Sequence, residues 1–167
     1  DQGTFWESLN FSALKKLPIL FVCENNGLAI YSDQRKRMKT LDICKKVKSF
    51  GVHTIKIKDN STKNIFQSTQ KALQRIKKNG QPVFLEISTY REVDHVGINY
   101  DFALGYRKKE KQKMMKSLNE LNFLKQNTKN FKQIEKKINK EISDALNYSL
   151  KSNFPHKKCI ESNVTKE

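Results

Sequence analysis

The chain is poor in the residues that staple or punctuate a fold: three cysteines, three prolines, six glycines and one tryptophan in 167 residues. Cys23, Cys44 and Cys159 are odd in number and far apart, which argues against a disulfide framework, and no spacing matches a zinc site or a redox dithiol. Reduced thiols in a cytosol-like, cytoplasmic compartment are expected. Cys23 lies in an apolar run and is expected in the core. No apolar stretch reaches about eighteen residues, so no membrane-spanning helix is expected. Acidic residues are also scarce, 17 against 33 basic ones, giving a formal net charge of +16. Such an excess suggests a polyanionic partner. Only Arg35, Arg37, Arg75, Arg91 and Arg107 carry the bidentate fork that nucleic-acid interfaces favour. With no groove-reading motif in view, a basic nucleic-acid-binding module is the weaker reading and lysine-covered helix faces the stronger.

What is present is concentrated in Asp1 to Ile30. Thr4 and Glu7 stand at capping-box spacing, and Phe5, Trp6, Leu9, Ala13 and Leu14 repeat at helical spacing until Pro18 stops the helix. Pro18 to Cys23 is apolar without alternation, which predicts a strand covered on both faces, as in a parallel sheet flanked by helices. Glu24-Asn25-Asn26-Gly27 then falls at the carboxyl end of that strand, where open α/β sheets bind ligands. Asn-Asn-Gly is a common turn sequence. Its side-chain carbonyls can also offer oxygens to a hard cation such as magnesium.

Beyond Ile30, residues 31–39 read as a polar loop carrying Arg35-Lys36-Arg37, either simply exposed or facing a phosphate. Thr40 is placed to cap a helix with Leu41, Cys44, Val47 and Phe50, closed by Gly51. Residues 52–57 alternate and predict a strand near a sheet edge, with His53 on its wetter side. A helix starting at Ser61 or Thr62 carries Ile65, Phe66, Thr69, Leu73 and Ile76 as one stripe and ends at Asn79-Gly80. Pro82 to Ile87 predicts a further strand. This alternation implies right-handed crossovers and an α/β fold with a doubly wound, mostly parallel sheet.

Gly-x-Phe-x-Glu-x-Leu-Asn-x-x-Ala-Leu, then Leu-Pro, an apolar strand and Glu-Asn-Asn-Gly, closely resembles the thiamine-diphosphate enzymes. More narrowly, it resembles the alpha subunit of the decarboxylating first component of 2-oxo acid dehydrogenase complexes. The resemblance implies that the Asn26 side chain and the Leu28 backbone carbonyl ligate the Mg²⁺ that holds the diphosphate of thiamine diphosphate. Glu7 and Asn10 belong to the same motif. Its opening Gly-Asp-Gly, whose aspartate is a metal ligand in the family, would end a few residues before Asp1. The 167 residues are therefore expected to be the carboxyl-terminal part of a longer subunit, inactive as an isolated fragment.

Residues 90–107, rich in charge and irregular in pattern, form the second place where chemistry is expected, because long connections in compact domains are usually functional. Thr89-Tyr90-Arg91 matches the family's Thr-Tyr-Arg, and His95 takes the place of the second histidine in its usual His-Gly-His-Ser. Val93, Asp94 and Val96 depart from that pattern, and Val96 has no hydroxyl to phosphorylate. Asp59-Asn60 also stands where members usually have Asp-Gly. The departures mark a divergent branch. The resemblance implies that His95 reaches the diphosphate and acts as the catalytic residue, since imidazole can donate to a phosphate oxygen or move a proton. Arg91 would face the same anion, or else form a surface ion pair with Glu92 or Asp94.

From Lys108 the chain is lysine-rich and helical. Met114, Met115, Leu118, Leu121 and Leu124 make one face. After a break at 126–128, Phe131, Ile134, Ile138, Ile142, Ala145 and Ser149 make another, expected to be core or a subunit contact. The expected organisation is 1–107 as part of a diphosphate-binding α/β domain, 108–155 as a helical tail, and 156–167 as a frayed terminus. The resemblance further implies a beta subunit in an α₂β₂ assembly, a 2-oxo acid substrate and acyl transfer to a lipoyl-bearing acyltransferase. A thiamine-diphosphate enzyme of sugar or small-acid metabolism without a lipoyl acceptor is the alternative.

Overall fold

The computed structural model describes residues 2–59, 61–107, 120–160 and 162. They divide into two compact units, Asp1–Glu120 and Leu121–Glu167. The expected face through Met114, Met115 and Leu118 lies outside the described residues.

In the first unit, α1 (Gly3–Leu14) leads into β1 (Leu20–Asn25). A two-residue hairpin of β2 (Leu28–Ala29) and β3 (Ser32–Asp33) follows, then a 3₁₀ turn at Gln34–Lys36. Next come α2 (Ile43–Lys48), β4 (His53–Ile57), α3 (Thr62–Asn79) and β5 (Val83–Ser88). The main sheet has the order β1-β5-β4 with both pairings parallel, so β5 is the middle strand. Alternating side chains of β5 point to opposite faces. Phe84 joins Leu9, Cys44, Val47 and Val52 on the α1/α2 face. Leu85 and Ile87 pack with Ile57 on the other face, where Val83 meets Ala72 and Ile76 of α3. The α/β expectation and the parallel sheet hold.

Several local expectations need correction. Helix α1 starts at Gly3 with Gln2 as its N-cap and no capping side chain. Thr4 is thus inside the first turn, where its hydroxyl cannot serve as the cap, and the capping box does not form. Helix α2 is capped by Asp42, whose carboxylate accepts from the Lys45 N–H at 3.1 Å, rather than by Thr40, and Leu41 lies outside it. Strand β1 borders only β5, and Val22 remains 54% exposed, so β1 is not covered on both faces. The fully buried strand is β5. On α3, Phe66 and Leu73 face outward, while Ala72 and Ile76 are buried. A helix sitting on one face of a sheet buries a narrower stripe than the sequence offers. Residues 31–39 contain β3 and the 3₁₀ turn in place of a plain loop. Gly80 ends α3 as expected, with φ +64° and its N–H donating to the Ile76 carbonyl.

The second unit contains α4 (Glu120–Asn127) and α5 (Phe131–Lys151), joined by a tight turn in which Phe131 N–H donates to Thr128 O. No residue of either helix is buried. Ile134, Ile138 and Ile142 are about half exposed, so among the described residues the stripe is not core. Lys157–Ile160 form a 3₁₀ turn, and residues 161 and 163–167 of the expected frayed terminus lie outside the described residues.

Burial, followed by the neighbouring Glu86 carboxylate, pushes the Cys44 thiol up to about 12, and burial likewise raises Cys23 to about 11. Cys159 is exposed. At about pH 8 a thiol reagent should modify Cys159 first and spare Cys23 and Cys44 until the chain unfolds. Mass spectrometry of labelled peptides checks this order, and rapid labelling of Cys44 in the folded chain would contradict it.

Burial and the charges of Arg75 and Lys48 hold His53 below its ordinary 6.5. As pH falls below 6.5, the unfolded chain takes up a proton that the folded chain resists, so stability is lost on the acid side. Urea midpoints measured between about pH 7.5 and 5.5 should fall less for His53→Gln than for wild type. Identical slopes would show that His53 contributes nothing.

Candidate functional site

The site forms because parallel pairing sets Asn25 opposite Ser88 and sends the next residues of both strands out of the same end of the sheet. There the Thr89 N–H donates to the Asn25 carbonyl at 3.0 Å, tying the two exits together.

The first exit is Asn25-Asn26-Gly27-Leu28. Asn25 Oδ1 accepts from Gly27 N–H at 3.0 Å and Asn26 Oδ1 accepts from Leu28 N–H at 2.8 Å. Gly27 has φ +75°, a conformation that residues with a Cβ rarely adopt. The Gln34 N–H donates to the Gly27 carbonyl, which marks 27/34 as a hydrogen-bonded pair of the hairpin. Antiparallel pairs alternate, so Leu28↔Asp33 is a non-hydrogen-bonded pair and the Leu28 carbonyl points away from β3. Asn26 Oδ1 and Leu28 O are thus two neutral oxygen donors on one short segment.

At the hairpin tip Ile30 has φ +54°, costly for a β-branched residue. That conformation is held from the second exit, residues 89–107. Arg91 Nη1 donates to the Ile30 carbonyl at 2.9 Å, Nη2 donates to the Tyr106 hydroxyl at 2.8 Å and Nε donates to the Val93 carbonyl at 3.1 Å. Tyr31 donates to Asp94 at 2.8 Å and meets the Tyr106 ring edge to face at 5.0 Å. The Tyr31 hydroxyl, and then the His95 N–H, hold the Asp94 carboxyl below its ordinary value. The ion-pair partner of Arg91 is Asp101, at 3.6 Å, not Glu92 or Asp94. Asp101 is buried and also pairs with Arg107, which reaches the Arg91 and Val93 carbonyls and lies over the Tyr90 and Tyr106 rings.

These two exits enclose a cavity of about 500 Å³. Asn26, Leu28 and Arg91 line it together with Tyr31, Tyr90, Tyr106, Arg35, Lys36 and Arg107. Of the sequence-predicted site residues, His95 is not in the lining. It stands beside Arg91, with Nδ1 3.5 Å from Arg91 Nη1. Of the Arg35-Lys36-Arg37 run, Arg35 and Lys36 line the cavity beside Asp33, with which Arg35 is paired at 2.7 Å.

The donor set can be compared with a magnesium diphosphate. Two neutral oxygens suit a hard cation that keeps further positions for phosphate and other oxygens. Four cations in the lining suit a polyanion. The Tyr90 hydroxyl is buried in a residue that lines the cavity, with the Arg107 guanidinium over its ring. Among the described residues no group of three or more His, Cys, Asp or Glu is placed to hold a metal. The site therefore fits a cation that arrives with its own phosphate oxygens better than a metal caged by protein alone.

Asp101 lies in the charge-rich segment 90–107, where the sequence alone does not mark it as the partner of Arg91. Nor does the sequence single out Tyr31, Tyr106 or Arg107. The Gly105-Tyr106-Arg107 ending was the available signal, but only the folded loop shows that it turns back onto Arg91. Replacing Asp101 with Ala should cost about 3–5 kcal/mol, because two largely buried guanidinium groups lose their counter-charge. Asp101→Asn, which keeps an acceptor, should cost less. Urea unfolding of the three chains measures the order, and an Ala variant as stable as wild type would refute it.

Against known proteins, residues 1–158 match the model of the family described as "Dehydrogenase E1 component". The chain is 23% identical over 172 residues to the pyruvate dehydrogenase E1 component subunit alpha of Rickettsia bellii, covering 98% of this chain and 52% of the relative. It is 30% identical over 110 residues to the 2-oxoisovalerate dehydrogenase subunit alpha of Bacillus subtilis, covering 66% of this chain and 33% of that one. With the pyruvate dehydrogenase E1 component subunit alpha of Porphyra purpurea the identity is 35% over 95 residues, covering 57% of this chain and 28% of that relative. The chain spans about half or less of the length of these relatives. The match runs through both sheet exits and the helices between them, and on that ground the chain belongs to the dehydrogenase E1 component family.

Proposed function

We propose that this chain supplies part of the cofactor-holding surface of a thiamine-diphosphate-dependent 2-oxo acid dehydrogenase alpha subunit. The observation that carries the reading is the convergence of Asn26, Leu28 and Arg91 on one cationic cavity at the carboxyl ends of β1 and β5. Asn26 Oδ1 and the Leu28 carbonyl would hold Mg²⁺, and Arg91 would form the wall facing the diphosphate. His95, beside that wall, would donate to a phosphate oxygen or move a proton as the substrate reacts. When bound, thiamine diphosphate supplies a nucleophilic carbon and an electron sink for loss of CO₂ from a 2-oxo acid. The chain's own contribution is orientation, charge neutralisation and the proton at His95.

In this reading the chain works with a beta subunit in an α₂β₂ assembly and passes an acyl group to a lipoyl-bearing acyltransferase. The loop sequence Val93-Asp94-His95-Val96 favours a second reading of the acceptor. Asp94, one of the departures from the pattern that the resemblance implies, ties the loop to Tyr31 at the hairpin tip. The same cofactor could there serve a sugar or small acid with no lipoyl acceptor, and lipoyl-domain acylation assayed against simple decarboxylation separates the two.

Calorimetric titration of thiamine diphosphate with Mg²⁺, on the subunit assembled with its beta partner, tests the cofactor assignment. Asn26→Ala should weaken Mg²⁺-dependent binding about 10- to 100-fold, the usual scale for disturbing a metal's support. Unchanged affinity would remove Asn26 from the metal.

A further inference from the structure

Glu86 sits in the middle of β5, the middle strand, and is 1% exposed. A carboxylate there is expensive, since burying a charge costs several kcal/mol even when it is paired, and apolar replacements of such groups are often neutral or stabilising. Its neighbours in the ladder are Cys23 on β1 and Lys56 on β4. The site residues already described do not include it, yet it touches the first sheet exit directly. Glu86 Oε1 accepts from Asn25 Nδ2 at 2.9 Å, and Oε2 lies 3.3 Å from Lys56 Nζ. With its amide nitrogen committed to Glu86, Asn25 can present only its oxygen to the Gly27 N–H, 3.0 Å away.

We propose that Glu86 is a positioning residue that fixes the Asn25 side chain, and through it the Gly27 turn that presents Asn26 Oδ1 and the Leu28 carbonyl. A hydrogen-bonded amide cannot exchange its two ends without losing both bonds, so the carboxylate sets which way Asn25 faces. Lys56 Nζ, 3.3 Å from Oε2, is the cation facing this buried carboxyl group. The link to metal binding rests on the reading of Asn26 and Leu28 given above; the link from Glu86 to the turn does not.

The discriminating readout is amide hydrogen exchange at Gly27, followed by NMR on the full chain, with thermal unfolding in parallel. Glu86→Gln keeps an oxygen acceptor for Asn25 and should protect Gly27 like wild type. Glu86→Met fills similar volume without an acceptor. It leaves Asn25 Nδ2 and Lys56 Nζ without this partner, so the unfolding temperature should fall, and Gly27 should exchange about tenfold faster relative to the slowest amides of the sheet, the response of a freed local turn. A drop in unfolding temperature with the protection of Gly27 unchanged relative to those amides marks a purely structural role and would overturn the proposal. If Glu86→Met does not fold, a swap carries the test. Asn25→Asp sets two carboxylates together and should expose Gly27, and Asn25→Asp with Glu86→Gln restores a donor–acceptor pair and should recover protection. Failure of the double variant to recover overturns the proposal. Magnesium and thiamine diphosphate titrated into the same variants, within the subunit assembled with its beta partner, report separately: an assembled wild type that binds neither, with Gly27 behaving as described, refutes the cofactor reading and supports the positioning role.

Discussion

The parallel pairing of β1 with β5 is the constraint on which the molecule's chemistry depends. Residues 20–25 align one for one with 83–88, so two segments more than sixty residues apart leave the sheet side by side. Every feature of the cavity follows from that coincidence: the turn at Gly27, the hairpin tip at Ile30, and the return of residues 89–107 across it. Antiparallel pairing would have sent the two exits to opposite ends of the sheet. The position also agrees with the general placement of ligands outside the carboxyl ends of parallel strands.

Arg91 shows how a residue suited to binding an anion can also be the keystone of its own loop. Its guanidinium is spread over Ile30, Val93, Tyr106 and Asp101, and lies beside His95. Such a planar fork is pre-organised, so each additional bond costs little side-chain entropy. The buried Asp101 keeps two guanidinium groups close together, although their charges repel. The result is a cationic wall whose geometry is set before any anion arrives, which is what orientation of a charged ligand requires.

The two largest features of the sequence, lysine excess and helical stripes, turned out to have different structural weight. The lysines mostly lie outside the cavity, which takes its positive charge from Arg35, Lys36, Arg91 and Arg107. The stripe on α3 is only partly used, with Ala72 and Ile76 inside and Phe66 out. Periodicity shows which residues share a helix face, but not how much of that face a neighbour covers. The same limit explains β1. An apolar run reads as buried on both sides, while Val22 at the border of the three-strand sheet keeps one side open.

The sequence by itself determined the alternation of helix and strand, the α/β class, the turn at Asn25-Asn26-Gly27, and a motif strong enough to point to one family. These are local properties: apolar runs, glycine and proline positions, and residue spacings that survive without knowledge of any partner. It also named Asn26, Leu28, Arg91 and His95 as the residues to watch. Only the tertiary structure decided that Asn26, Leu28 and Arg91 line a single cavity, and that His95 stands beside Arg91 and outside that lining. It likewise decided that Asp101 is the partner of Arg91 and that Glu86 grips Asn25. Each of these is a contact between β-strand exits or across strands. Such contacts depend on strand order and register, which side-chain patterns along one strand do not encode.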